Sequence, residues 1–356
     1  MINVENIERV KKNCGHFWKQ EFIGRPFVCV TAPKDGITQQ SFDFSYVKRY
    51  NEVKNGNYDG MLKDYQKCIK GVYFGGEALP VYTADFAPDG YASFFGGEIT
   101  AQDGQQTTWV HNIAENAKDL NCAFDENNHN FKMLVNYVKY AAEFAKGDFL
   151  ISMLDLHGNL DALSALLDPQ NLCIELFDNP GVVEEKLNQI NDSYQKIYNS
   201  IYAAGNMREL GTVGWQPVYS AGKSAVLQCD FSCMISPDMA RKYVIPSIER
   251  EAEFLDNSVY HYDGKQALGH FEDILAIKKI NCVQWVPGDG EKRTLYWPDL
   301  LKRIQKAGKS VWIYDWTPEE ILADKELIPE KTVFSVYLPS ETEAKKFLEK
   351  LERKYK

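Results

Sequence analysis

Apolar positions along this chain fall into short continuous runs, and most of these are separated by longer stretches with a 3.6-residue period. Residues 4–22 read as an amphipathic helix that Gly24-Arg25-Pro26 breaks, and 26–33 (PFVCVTAP) as a buried strand. Residues 44–70 have a helical pattern, and 79–84 (LPVYTA) predict a strand ending at Asp85. The stretch 86–130, rich in Gly, Asn, Asp and Gln, predicts loops or a small β excursion before a helix over 130–146. Strand and helix then alternate. Strand 149–154 ends at Asp155 and is followed by helices over 159–167 and 180–204. Strand 225–228 ends at Cys229-Asp230, and Ser236-Pro237 opens a helix over 237–255 as N-cap and first-turn proline. Further strands are expected over 258–263, 282–286, 310–314 and 333–338, with helices over 268–277, 298–307, 317–324 and 341–354.

Strands that are apolar throughout are buried on both faces, and short strand–helix connections make the class α/β with a parallel sheet. About eight strands can be named, which suits a (β/α)8 TIM barrel with an irregular N-terminal extension. The expected organisation is one barrel domain over 1–356, with 1–75 as a helical extension plus the first strand and 76–356 as the main barrel. A doubly wound sheet is the alternative, weakened because no GxGxxG follows the first strand.

A hydrophobic content of 44% is enough for a large core, and a net charge of -10 argues against nucleic acid or an anionic membrane surface as the main partner. The segment after Met1 has no apolar leader and no run is long enough to span a bilayer, so a cytoplasmic location is expected. Eight cysteines without a CxxC pair read as reduced thiols, several of them in apolar runs, and no second pair answers Cys229 and Cys233 to make a zinc knuckle.

The candidate chemistry lies at the predicted strand ends. In Ser258-Val259-Tyr260-His261-Tyr262-Asp263-Gly264, strand alternation puts His261 and Asp263 on one face, and the glycine breaks the strand. Two titratable groups placed there need a metal, a substrate or each other. His261, Asp263 and Asp230 are the catalytic candidates. Cys229 and Asp230 point to opposite faces, so Asp230 is the one expected to face the site. His261, Asp263 and Cys229 are the metal-ligand candidates. Asp85, Asp155, His157, Trp215, Trp285 and Asp315 are the expected substrate contacts, with the indoles as pocket walls. His270 falls in a helical pattern and reads as structural. No HExxH, GxSxG or SxxK motif occurs.

Several of these segments resemble the uroporphyrinogen decarboxylase superfamily. Residues 227–239 (LQCDFSCMISPDM), followed by Val244-Ile245-Pro246, resemble its strand, small-residue loop and S-P helix start. His261-Tyr262-Asp263-Gly264 resembles the following H-x-(D/C)-G strand end, and Asp178-Asn179-Pro180 with Val182-Val183 a helix start of the family. Phe94-Phe95-Gly96-Gly97-Glu98 is similar to an element of the methyltransferase branch, and Gly24-Arg25-Pro26-Phe27 to the decarboxylase N-terminus. The resemblance implies a TIM barrel. It also implies either a cofactor-free decarboxylase or a methyltransferase that moves a methyl group between a corrinoid protein and a thiol or tetrahydrofolate, in some members with zinc.

Beyond Arg25 the decarboxylase's arginine clamp is missing, and acidic strand ends repel a polycarboxylate, so the methyltransferase branch is the nearer one. There the strand end reads H-x-C and a later cysteine completes the zinc site. Here Asp263 stands in place of the thiolate, and no cysteine follows Cys282. The expected function is methyl transfer between a methylcorrinoid or small methyl donor and an acceptor, with a divalent metal such as zinc. The partners expected are a small-molecule substrate and a corrinoid protein, with no nucleic acid or membrane. Two other readings stand beside it: a corrinoid-independent lyase or hydrolase using acid/base catalysis on a small polar metabolite, and a non-catalytic ligand-binding barrel.

Overall fold

Each strand of the main sheet alternates between two cores, and this alternation positions everything at the strand ends. The structure is a computed structural model describing residues 7–102 and 104–356; the first residues of the helix expected from residue 4 lie outside them. The strands are β1 (Phe27–Pro33), β2 (Val72–Gly76), β3 (Val81–Tyr82), β4 (Glu98–Thr100), β5 (Trp109–His111), β6 (Leu150–Ile151), β7 (Ser224–Leu227), β8 (Asn257–Asp263), β9 (Cys282–Val286), β10 (Ser310–Ile313) and β11 (Thr332–Tyr337). A seven-stranded sheet runs β2-β1-β11-β10-β9-β8-β7, while β3 pairs with β6 and β4 with β5. From β1 through β11 to β7 every pairing is parallel, and β2 lies antiparallel on the edge of β1. The architecture is therefore α/β with a mixed sheet.

One face of the parallel strands carries Phe27, Cys29, Val226, Val259, Cys282, Trp312 and Val333, which pack with Val10, Cys14 and Phe17 of the helix Ile7–Trp18. The other face carries Val28, Leu227, Tyr260, Val283, Val311 and Phe334 against the surrounding helices. Burial on both faces is why the strands are apolar throughout. The first face also carries His261, two residues beyond Val259, and Gln284, two beyond Cys282.

The sequence pattern differs from the fold in a few places. β2 was not foreseen, because Gly75-Gly76 reads as a breaker. Gly76 has φ +60°, and a Cβ there would meet the Val28 carbonyl oxygen at 2.1 Å, so the close approach of the two strands requires glycine. The expected strands 79–84 and 149–154 shrink to Val81–Tyr82 and Leu150–Ile151. A separate helix, Pro169–Asp178, precedes Pro180–Ala204. The helix expected over 237–255 has a π-turn, Ala240–Val244, before Ile245–Phe254. The stretch 86–130 holds a 3₁₀ segment, Pro88–Phe95, and the β4–β5 hairpin, as its composition suggested. No helix among the described residues is long and apolar enough to cross a membrane.

Candidate functional site

The C-terminal end of β8 is where titratable groups converge. His261 and Asp263 share one face of the strand, and Gly264 at φ +78° turns the chain away immediately afterwards. In the β8–β9 register His261 lies opposite Gln284, and His261 Nδ1 is 2.6 Å from Gln284 Oε1. An amide oxygen only accepts, so Nδ1–H is the donor in this pair and Nε2 is left free of Gln284. Asp230 enters from the end of β7. One ligating atom each from Asp230, His261 and Asp263 lie within 4.8 Å of one another. Burial raises the Asp263 carboxyl above its ordinary range; His261 beside it pulls the other way, and Asp230 pushes further up.

A second cluster shares Asp230. Ligating atoms of His157, Asp161 and Asp230 also lie within 4.8 Å of one another. His157 is buried, with Nε2 3.4 Å from Asp155 Oδ2 and Nδ1 3.7 Å from Asp161 Oδ2, ion-pair distances rather than hydrogen bonds. Asp161 accepts the backbone N–H groups of Asp230 (3.0 Å) and Phe231 (2.9 Å), which ties the helix Asn159–Leu167 to the loop after β7. Burial, helped by the Asp230 charge, pushes Asp161 up to about 6, against His157 and the two backbone donors. Burial alone would lower the His157 pKa, but Asp155, Asp161, Asp230 and Asp89 hold it above the ordinary imidazole value. The chain of charges continues: Asp155 N–H donates to Asp85 (3.2 Å), and the Asp85 carbonyl accepts from the buried Arg49 (2.9 Å).

Two cavities flank the centre. One, about 630 Å³, is acidic and includes Asp89, His157, Asp161 and Asp230 in its lining. The other, about 480 Å³, is walled by Trp215, whose indole meets the His261 ring edge-on at 5.1 Å. The Trp215 Nε1–H is buried without a partner among the described residues.

The expected residues divide accordingly. Asp230, His261 and Asp263 converge, Asp155 and His157 stand next to them, and Trp215 walls the neighbouring cavity. Asp85 is fully enclosed, organising the backbone of Ala87 and Asp155. Cys229 and Trp285 turn to the opposite face. Cys229 is in the helix-facing core, where burial pushes its thiol up, and Trp285 packs on Tyr262 (5.8 Å) and Trp297 (5.4 Å). Asp315 accepts from the backbone N–H (2.8 Å) and hydroxyl of Thr294, fixing the loop after β9. Arg25, the echo of a substrate clamp, is buried against Glu77 beside the start of β1.

Asp161, Gln284 and Glu251 were missed. An acidic residue in a helix's first turn reads as dipole compensation, which hides Asp161. Gln284 is visible only once β8 and β9 are aligned. For the metal binding proposed below, Gln284→Leu is expected to lower zinc affinity about 10–100-fold, with Gln284→Glu retaining an acceptor and most of the affinity, measured by chelator competition.

Glu251 lies behind the cluster, with Oε1 3.4 Å from Asn159 Nδ2 and Oε2 unpartnered among the described residues. Burial pushes it up to about 8, against the Asn159 hydrogen bond. The folded protein thus holds a proton that the unfolded chain releases in the ordinary carboxyl range. Stability falls as pH rises from that range to about 8 and is level above it. Glu251→Gln, a mimic of the protonated acid, is expected to unfold at a higher temperature than wild type at pH near 9, with the gap closing towards pH 5, as read by thermal melts across pH.

No family model matches the chain, and no curated protein matches it. Among solved structures the fold is similar to that of a methyltransferase from Methanosarcina mazei, with 12% sequence identity, a TM-score of 0.62, and 98% of this chain and 99% of that one covered. At that identity the likeness is one of fold.

Proposed function

We propose that this chain is a methyltransferase on a (β/α)8 barrel, with Asp230, His261 and Asp263 holding a divalent cation. The observation that carries the reading is this three-ligand cluster at the strand ends. Two carboxylates and an imidazole with a free Nε2 suit a divalent metal, and three protein ligands leave a coordination position open, as in catalytic zinc sites. The donor set is harder than a thiolate site. The likeness in fold to a methyltransferase over nearly the whole chain, together with the motif resemblance, supports methyl transfer as the chemistry. In this reading the six parallel strands of the sheet and the β3–β6 pair are the eight staves of the barrel, in one domain.

The methyl group passes by in-line displacement. The donor–methyl bond breaks as the acceptor–methyl bond forms, the electron pair stays with the donor, and the acceptor's proton is released. A bound divalent cation supplies Lewis-acid activation of the acceptor's heteroatom. Gln284 fixes the His261 ring. Asp161, held near 6 between His157 and Asp230, takes the released proton. Trp215 excludes water beside His261. Positioning and electrostatics carry most of the rate. The methyl donor is a methylcorrinoid carried by a partner protein, or a small methylated compound. Incubation of the zinc-loaded protein with methylcobalamin and thiol, folate or phenolic acceptors is expected to convert the methylcobalamin spectrum. No conversion with any acceptor, nor with a corrinoid protein as donor, would defeat methyl transfer.

One observation favours a second reading. Asp161, which burial pushes up to about 6, and His157, held above the ordinary imidazole value by the carboxylates around it, could serve acid/base chemistry in a lyase or hydrolase. Turnover of a small polar metabolite without any corrinoid would select it.

A further inference from the structure

The 480 Å³ cavity at Trp215 has a neighbour. Thr31, Leu79, Val81 and Tyr337 also line a second cavity of about 660 Å³, whose wall includes Gln39, Ser41, Phe42 and Phe44. The sheet leaves this region without a strand ladder. The edge of β1 is taken by β2, from Cys29↔Gly76 to Pro33↔Val72, so β3 has no ladder to β1 and pairs only with β6. The second cavity is lined mainly by apolar and aromatic side chains. Phe42 lies edge-on to Phe44 (4.7 Å) and Tyr65 (5.3 Å), and Phe44 is 67% exposed on its wall. No charged side chain lines either of these two cavities among the described residues, in contrast to the acidic cavity at Asp230.

We infer that these two cavities join at their shared wall and together bind a neutral aromatic compound. Its ring lies among Phe42, Phe44, Tyr65 and Phe74, and its substituent passes the neck at Leu79 and Val81 towards Trp215 and His261. A cavity on the order of 150 Å³ already holds a benzene ring, so the volume accommodates a substituted one. Edge-to-face rings extend naturally to an aromatic guest, and the lack of charge selects a neutral one. Resting on the methyl-transfer reading, this guest is the substrate whose heteroatom gives up or receives the methyl group.

Methoxybenzene and methanol serve as probes on the full chain, by titration calorimetry. Methoxybenzene is expected to bind at least about tenfold tighter than methanol, from burial of the ring. Phe42→Ala and Leu79→Trp are each expected to remove most of that preference while zinc affinity stays at the wild-type value. Equal binding of the two probes, or a Phe42→Ala protein with undiminished preference, overturns the inference. A crystal of the wild-type protein soaked in iodobenzene gives a readout that does not depend on the variants folding. An iodine anomalous peak among Phe42, Tyr65 and Phe74 supports the site, and no peak there overturns it. Ring binding without any methyl transfer would defeat the functional reading alone. Methyl transfer to ring-less acceptors without ring binding would defeat this inference alone.

Discussion

Replacing His261 with alanine is expected to lower zinc affinity by more than the roughly 10–100-fold typical of losing an outer-shell partner, and to remove methyl transfer with it. The reason is geometric. His261 supplies the one nitrogen of the Asp230–His261–Asp263 cluster, and without it two carboxylates face each other with no imidazole between them. The fold should survive, because the ring is only half-buried and its one hydrogen bond is to the Gln284 side chain. Leaving the Gln284 amide oxygen unpaired costs about 1–3 kcal/mol. The discriminating pair of measurements is zinc affinity by chelator competition and the thermal midpoint. Lost affinity with a modest melting shift fits a ligand, whereas unchanged affinity makes His261 a packing residue.

The largest stability effect is expected far from that cluster. Glu77 is fully buried and accepts from Arg25 Nη1 (2.9 Å) and Nη2 (2.8 Å), Arg9 Nη1 (3.2 Å), Asn13 Nδ2 (3.0 Å) and the Val28 N–H (3.2 Å). Burial would raise its pKa, but the Arg25 guanidinium, together with Asn13 and the Val28 N–H, outweighs it and holds the carboxyl below its ordinary range. Glu77→Ala strands the buried Arg25 and is expected to cost about 3–5 kcal/mol in denaturant unfolding. The sign with pH follows: the stabilisation is present above the unfolded pKa and is lost as pH falls through the lower folded one. Glu77→Ala should therefore lose its disadvantage in strong acid, while a penalty unchanged at low pH would show that packing rather than charge holds this corner. Zinc affinity measured on the folded variant should match wild type, since Glu77 packs at the start of β1.

What was legible from sequence follows from which forces are local. Both-face burial writes itself into the chain as continuous apolar runs, so β8 to β11 were visible within a residue or two. Alternation alone put His261 and Asp263 on one face and separated Asp230 from Cys229. Long-range decisions were not visible. β2 is a strand because its glycines allow close approach to Val28, information held by the partner strand. Asp161 matters because its carboxylate ties down the backbone after β7, a contact 69 residues away in sequence. Trp285 and Trp215 look alike in the sequence, and only the fold decides that one faces the helices and the other His261. Arg25 matched a motif but is committed to Glu77, where it stabilises the fold.

Everything proposed for the chemistry depends on Asp230, His261 and Asp263 holding a divalent metal. Diffraction from a zinc-soaked crystal, collected on both sides of the zinc edge, tests it most directly. One anomalous peak is expected, bonded to His261 Nε2 and to oxygens of Asp230 and Asp263, with Gln284 still on Nδ1. A crystal with no peak at these three residues, or with zinc bound only elsewhere, contradicts it.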